Sequence, residues 1–384
     1  MQIVADLPTP ADEVVEPKGL DAFLSQKLRF WSLVAMLLLV YVHAYNLHPR
    51  YLQLATPVDE PLSVGTFLQY FLANGLFRFR IPILFGISGF LFAFHDGGTP
   101  HRERVKRRVR TLLVPYLLWS LIGLAGTWAL EMYPPTRELV RAAALSVFGS
   151  ENAFVSGHSP GELLLRWLLL PVPFQLWFLR SLLVLNLVYP WLRKAVERKA
   201  AIYFAIAGLI WGLDISITPL FEANGPLFFG LGVWLAVRQR NVQAPPRWFR
   251  VGPFAAVWLG LLVLKTAMAF YFQQPSFFPM LLLHKTAELL GIGVMWFGLD
   301  AVVRAAMRQR WFVWLTGFSF MIYVLHVPLI NYATEWALRT WPSQNLPVFL
   351  LLPLLIAAMA VLLGAVLRKL VPSVYSLLTG GRGL

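Results

Sequence analysis

Of the 384 residues, 58% are hydrophobic and 14% charged, where an ordinary soluble domain carries roughly 45 to 50% and about 25%; this balance argues against a soluble fold. The absence of cysteine excludes a disulfide framework, a Cys-ligated zinc or iron–sulfur centre, and an acyl-thioester on the protein itself. A formal net charge of +14 on a soluble protein would suggest nucleic acid, but the placement of these charges argues otherwise.

Residues 1–27 read as a polar, acidic N-terminal tail (Asp6, Asp12, Glu13, Glu16, Asp21) that lacks the basic flank and small-residue cleavage site of a secretory signal. The first apolar segment is therefore expected to stay as a span. A transmembrane helix needs about 20 mostly apolar residues. Ten segments are candidates, near 29–47, 76–95, 109–131, 174–193, 201–218, 223–238, 251–271, 281–303, 311–333 and 346–368. The sequence thus predicts an all-α, polytopic bundle over 28–370 with a short tail at 371–384. Its largest outer segment, 132–173, carries Pro134, Pro135, Gly157, Pro160 and Gly161 around two short helical patterns and suits an outer lid.

Lys and Arg accumulate in alternate connections, as the positive-inside rule requires. The stretch 102–110 alone holds Arg102, Arg104, Lys106, Arg107, Arg108 and Arg110. With 193–199, 238–250, 304–310, the last residues and the start of the first helix, 23 of the 33 basic residues fall on one side. Both termini are therefore expected in the cytoplasm, and the positive charge reads as a topology signal, not as a nucleic-acid footprint. There is no internal repeat of the kind that builds many transporters.

Ionisable groups inside spans are costly and point to function once snorkelling at helix ends is discounted. On the first helix His43 lies 14 residues beyond Arg29, about 21 Å along the axis and close to four turns, so the two share a face. Ser32 and Tyr41 lie on or beside that stripe. The alternating topology brings Arg80, Arg180, Lys265, Glu288, Tyr323 and His326 to a comparable outer depth. Arg78 and Lys285, nearer the interface, read as snorkelling side chains. A neutral imidazole at His43 can take a proton near neutral pH and return it, as acyl transfer to a hydroxyl requires; His326 is chemically alike. No His pair or His–carboxylate spacing suggests a metal site. Gly86 and Gly89 suit close backbone packing, and Trp177 and Phe178 stand beside Arg180 as cavity-lining candidates.

LRFWSLVAMLLLVYVHAYN, RIPILFGISGFLF, RRVRTLLVPYLLW, QLWFLRSLLVL, FFGLGVWL and FSFMIYVLHVPL occur in this order between about 25 and 370. Together these blocks resemble the integral-membrane acyltransferase 3 family of bacterial O-acyltransferases. The resemblance implies about ten helices in the bacterial cytoplasmic membrane. It also implies a cytoplasmic acyl-CoA donor, usually acetyl-CoA, used as a substrate and not as a resident cofactor. The acceptor it implies is a glycan or related hydroxyl compound, and the essential His falls on His43. The family places an Arg 11 residues before that His; here the position is Ser32, with Arg29 one turn earlier.

The expected mechanism brings acyl-CoA in from the cytoplasm, its phosphates met by Arg29, Ser32, Arg107, Arg108 and Arg110, while the pantetheine arm reaches His43. His43, Arg80 and Tyr323 are the catalytic candidates, with Arg80 or Tyr323 at the oxyanion. Arg180, Glu288 and His326 are the acceptor-binding candidates. Both direct transfer and an acyl-His intermediate are compatible with these residues. A transporter of a sugar-like or anionic solute, using the same charges along its path, is the alternative reading, and a non-catalytic partner of a polysaccharide assembly a third.

Overall fold

The computed structural model describes residues 20–98, 100–145, 154–217, 220–272, 277–343 and 345–383. Most of the predicted 1–27 tail and the middle of the 132–173 segment lie outside the described residues. The first helix, α1 (Ala22–His43), starts earlier than its apolar run because Asp21 caps it, accepting a hydrogen bond from the Leu24 N–H at 2.9 Å. A capping box between Ser63 and Thr66 opens α2 (Val64–Tyr70). A π turn (71–75) and a 3-10 turn (76–79) then carry the chain directly into α3 (Arg80–Phe94), giving one apolar rod of 31 residues.

Beyond a short turn, α4 (His101–Arg108) runs through another π turn into α5 (Val114–Met132). The 132–173 segment supplies α6 (Pro134–Ala143) and α7 (Pro160–Leu168), the latter opened by a Ser159–Glu162 capping box. It folds back on the bundle: Glu131 accepts from the backbone N–H groups of Val155 and Ser156, at 2.6 and 2.9 Å.

The 174–193 candidate is divided into α8 (Trp177–Leu187) and the charged, amphipathic α9 (Tyr189–Arg198). Pro190, which has no N–H to donate, stands at the break. α10 (Ala200–Gly212) ends ahead of Asp214, which takes a left-handed φ of 55°. A π turn at 225–229 leads into α11 (Gly230–Val237). The remaining chain forms α12 (Val251–Tyr271), α13 (Phe277–Gly298), α14 (Asp300–Met307), α15 (Arg310–Thr316), α16 (Ser319–Thr340), α17 (Asn345–Leu370) and α18 (Pro372–Thr379). Among the described residues the only β feature is one antiparallel bridge, Ile217 to Phe221.

Six of these helical runs are long and apolar enough to cross a bilayer, and α15 with α16, bent by 64°, makes a seventh. The other three predicted segments form shorter apolar helices, Phe174–Leu187, Ala200–Gly212 and Gly225–Val237. The molecule is thus an all-helical membrane protein with at least six span-length helices.

Packing follows from small residues and burial. A side chain on Gly89 would run into the Phe229 backbone, and one on Gly232 into the Gly86 carbonyl, so α3 and the start of α11 are in backbone contact. α1 is enclosed by α3, α14, α16 and α17, with Trp31, Leu33, Ala35 and Val40 fully buried.

The basic connections all gather at one end of the bundle. Asp21 accepts from Gln243 Nε2, Lys27 pairs with Asp300 at 2.6 Å, and Arg238 donates to Glu197 O. Arg104 and Arg193 both pair with the buried Asp96, and Arg382 donates to Thr111 O. The opposite end is tied through Val58 N–H to Ala269 O, Asn46 to Asn345 O, and Tyr51 OH to Ala143 O.

Candidate active site

A polar cavity of about 470 Å³ opens at the end away from the basic connections. Its size is ordinary for a small-molecule site. His43 reaches it as the last residue of α1, because the helix stops there and the chain turns into the 44–63 connection. The imidazole is half-buried between two rings: Phe174 meets it edge-on at 4.9 Å, and His326 stacks on it at 5.4 Å with 28° between the planes.

His326 is completely buried. Its Nδ1 lies 3.0 Å from Ile322 O; a carbonyl can only accept, so Nδ1 carries the proton and Nε2 keeps its lone pair. That Nε2 has no hydrogen-bond partner among the described residues. The ring is positioned by a break in α16, where Val327 leaves helical geometry ahead of Pro328. Pro328 cannot donate along the helix, and the carbonyls left open at Val324 and Val327 are taken by Gln175 Nε2 at 3.1 and 3.0 Å.

Two guanidiniums supply positive charge. Arg80 is buried and donates to Phe77 O at 2.9 Å, while its Nε has no partner among the described residues. Arg78 donates to Asn74 Oδ1 at 2.6 Å and to Leu52 O at 3.2 Å. Both line the cavity, and neither forms an ion pair among the described residues. Both share the cavity wall with His43. Lys285 also turns inward, pairing with Asp214 at 2.6 Å, so the snorkelling expected of Arg78 and Lys285 is replaced by a role in the cavity wall.

Glu288 is buried in the same wall and accepts from Trp211 Nε1 at 3.1 Å. One turn away, His284 also lines the cavity. Lys265 Nζ donates to Asn74 O at 2.5 Å and to His284 Nδ1 at 2.8 Å. With Lys265 charged, His284 accepts through Nδ1 and carries its proton on Nε2; with Lys265 neutral, the roles can reverse.

Other predicted residues are placed elsewhere. Tyr323 is buried below the cavity and its hydroxyl donates to Gln175 O at 2.8 Å. That proton is already committed, which corrects the expectation of an oxyanion donor there. Arg180 is half-buried outside the cavity lining and donates to Leu169 O. Arg29 is exposed near the basic end, and Ser32 spends its hydroxyl on Leu28 O at 2.8 Å. Arg107 and Arg110 are exposed at the same end, and Arg108 lies over the Phe92 ring at 4.5 Å.

Sequence reasoning missed Arg50, Asp214, Glu222, His284, Asn331 and Thr334, all of which line the cavity. Arg50 pairs with Glu335. Only His284 carried a readable signal: it stands four residues before Glu288 on one helix face, which corrects the expectation that the sequence holds no His–carboxylate spacing. Glu222 belongs to the connection before α11; burial raises its carboxyl pKa above the usual carboxylate range, and a hydrogen bond from Ser216 at 3.2 Å opposes that shift.

Two comparisons bear on this arrangement. The chain is 26% identical over 378 residues, 94% of each protein, to the succinoglycan biosynthesis protein ExoH of Rhizobium meliloti (strain 1021). No solved structure matches it. The acyltransferase domain family matches residues 33–367, a span that holds His43, Arg80, Glu288 and His326, and the chain therefore belongs to that acyltransferase family.

Proposed function

We propose that this protein is a membrane O-acyltransferase that moves an acyl group, acetyl in the simplest case, from acyl-CoA to a hydroxyl of an envelope polysaccharide. The observation that carries the reading is His43 in the wall of a polar cavity, with two guanidiniums beside it and the buried His326, which does not itself line the cavity, stacked behind it. The polysaccharide acceptor is supported by the printed name of the relative, a succinoglycan biosynthesis protein. The gathered basic connections support an orientation with that end in the cytoplasm of a bacterial inner membrane. In this orientation the three short apolar helices pair with the seven longer runs as ten crossings. The donor enters at the basic end and the acceptor reaches the cavity from outside.

His43 removes the proton of the acceptor hydroxyl as its oxygen attacks the thioester carbonyl. The carbonyl electrons move onto oxygen, where Arg80 and Arg78 stabilise the charge in a site partly shielded from water. As the tetrahedral intermediate collapses, the carbon–sulfur bond breaks and the CoA thiolate takes the proton from His43. Protons balance and no cysteine is needed. His326 holds the plane of His43, while Glu288 and the His284 Nε2–H provide an acceptor and a donor for sugar hydroxyls.

The test is transfer of radiolabelled acetyl from acetyl-CoA to de-acylated envelope polysaccharide by the protein in proteoliposomes. The expected result is incorporation by the wild type and none by His43→Ala at equal folded protein. Incorporation by His43→Ala at the wild-type rate defeats the reading.

A further inference from the structure

The cavity that holds His43 differs in character from one wall to the other. The turn ahead of α3, helix α13 and the connection between α10 and α11 supply charged groups: Arg78, Arg80, Lys285, Asp214, Glu222 and Glu288. Where α16 lines it, past the break at Pro328, the groups are neutral: Asn331 and Thr334, three residues apart on one helix face. Arg50 joins this wall, but its charge is taken up by Glu335, the residue after Thr334. Aromatic rings complete the neutral half. Phe174 stands edge-to-face with His43 at 4.9 Å and with Tyr51 at 6.2 Å. The Tyr51 hydroxyl donates to Ala143 O at 2.6 Å, which fixes the ring, yet the residue remains 50% exposed.

Thr334 is only 3% exposed, and its hydroxyl has no hydrogen-bond partner among the described residues. A threonine inside a helix can satisfy its hydroxyl on the carbonyl four residues back. Thr266 does so on Leu262 O at 2.8 Å, Thr340 on Trp336 O at 2.9 Å and Thr379 on Tyr375 O at 2.8 Å. Thr334 makes no such bond to Ile330 O. The Oδ1 of Asn331 is likewise buried without a partner among the described residues. Two such atoms side by side are costly unless a ligand completes them. Both residues lie beyond His326 along α16, toward the end where Arg339 donates to Glu138 O of α6. A ligand entering at the end away from the basic connections therefore meets them on its way to His43.

An amide and a hydroxyl each both donate and accept, as sugar hydroxyls do, and fixed aromatic rings offer apolar faces to the C–H groups of a sugar ring. With Arg50 neutralised, nothing on this wall selects a charged group. We infer that the neutral half, built from Tyr51, Phe174, Asn331 and Thr334, is a subsite for a second, uncharged sugar beside the one acylated at His43, so that the acceptor is read as a segment of at least two sugars. This rests on the polysaccharide-acceptor reading above and adds to it the place of the neighbouring sugar and the minimum length of the acceptor.

The test uses the full chain in proteoliposomes with radiolabelled acetyl-CoA. The acceptors are de-acylated envelope polysaccharide, partially hydrolysed and sized into one-, two- and four-sugar fractions. The variants are Thr334→Val, which keeps the shape and removes the hydroxyl, and Asn331→Leu. The wild type is expected to show kcat/KM for two sugars about tenfold or more above that for one, with little further gain at four. Each variant, melting like the wild type, should raise KM for the two-sugar fraction about tenfold and so narrow the gap between one sugar and two. Equal kcat/KM for one and two sugars in the wild type overturns the subsite and leaves the acyltransferase reading standing, and this arm requires no variant. A length preference that both variants retain in full also overturns it, since the second sugar then binds elsewhere. No transfer by the wild type to any fraction or to the intact de-acylated polysaccharide defeats the polysaccharide-acceptor reading itself, and the subsite with it.

Discussion

His43 and His326 stack with 5.4 Å between ring centroids, and among the described residues only the second ring is locked by a hydrogen bond to its own helix. This asymmetry separates their roles: His43 faces the cavity and is free to exchange a proton, while His326 is a fixed plate with a lone pair behind it. His43→Ala is expected to cost about 10²- to 10⁴-fold in kcat, the usual worth of a general base. His326→Asn, which can keep a donor near Ile322 O but loses the ring, is expected to cost much less, about tenfold. Acyl-transfer rates of the two variants, at matched melting temperature, provide the check. Equal losses would remove the distinction between base and plate.

Tyr323 and Gln175 form a reciprocal clasp across the break in α16. The tyrosine hydroxyl donates to Gln175 O, and the Gln175 amide donates to the carbonyls around Pro328. Tyr323→Phe leaves a buried carbonyl without its donor and is expected to destabilise the protein by about 1–3 kcal/mol. Turnover per folded molecule should change no more than a few-fold. Loss of an oxyanion donor would instead lower kcat by about 10²- to 10³-fold. Thermal melting and initial rates of the one variant therefore distinguish a clasp from a catalytic role.

Much of the site was legible as depth along helices, and this explains both what was seen and what was missed. His43, Arg80 and Glu288 were found because each is ionisable within an apolar run and the alternating topology puts all three at one level; the cavity contains all three. Arg78 and Lys285 were misread because proximity to a helix end is all that such arithmetic registers. The π and 3-10 turns ahead of Arg80 place Arg78 beside Asn74, and Lys285 finds Asp214 in a connection. Arg50, Asp214 and Glu222 belong to connections, where neither periodicity nor depth places a side chain. The lengths of the shorter apolar helices were set by local breakers, such as Pro190 and the left-handed Asp214, which hydropathy averages over.

The two glycines of the Ile-Ser pair differ sharply in what surrounds them. A Cβ on Gly89 would collide with the Phe229 backbone, whereas one on Gly86 would meet only Phe228 O at 3.9 Å, an ordinary contact. Backbone cannot give way as a flexible side chain can, so Gly89→Ala must separate α3 from α11. Overpacking of this kind costs about 1–3 kcal/mol. Gly89→Ala is expected to lower the melting temperature and Gly86→Ala to leave it near the wild-type value. Similar melting of the two variants would show that α3 and α11 do not touch as described.

Glu222 gives the cavity rim a pH dependence with a defined sign. Burial raises its carboxyl pKa above the ordinary 4.5, so the folded protein favours the protonated form more than the unfolded chain does. A group raised on folding contributes its stability below the unfolded value and loses it as pH rises through the folded one. Glu222→Gln keeps the shape of the neutral acid and does not titrate. The wild type should therefore melt closest to the variant, or above it, at pH 4. It should fall progressively below the variant as pH increases past 4.5 toward neutrality. Melting curves of the pair in one detergent across that interval test the sign. A difference independent of pH, or one that grows in the wild type's favour as pH rises, would mean that Glu222 is solvated, or paired as a carboxylate, in the folded protein.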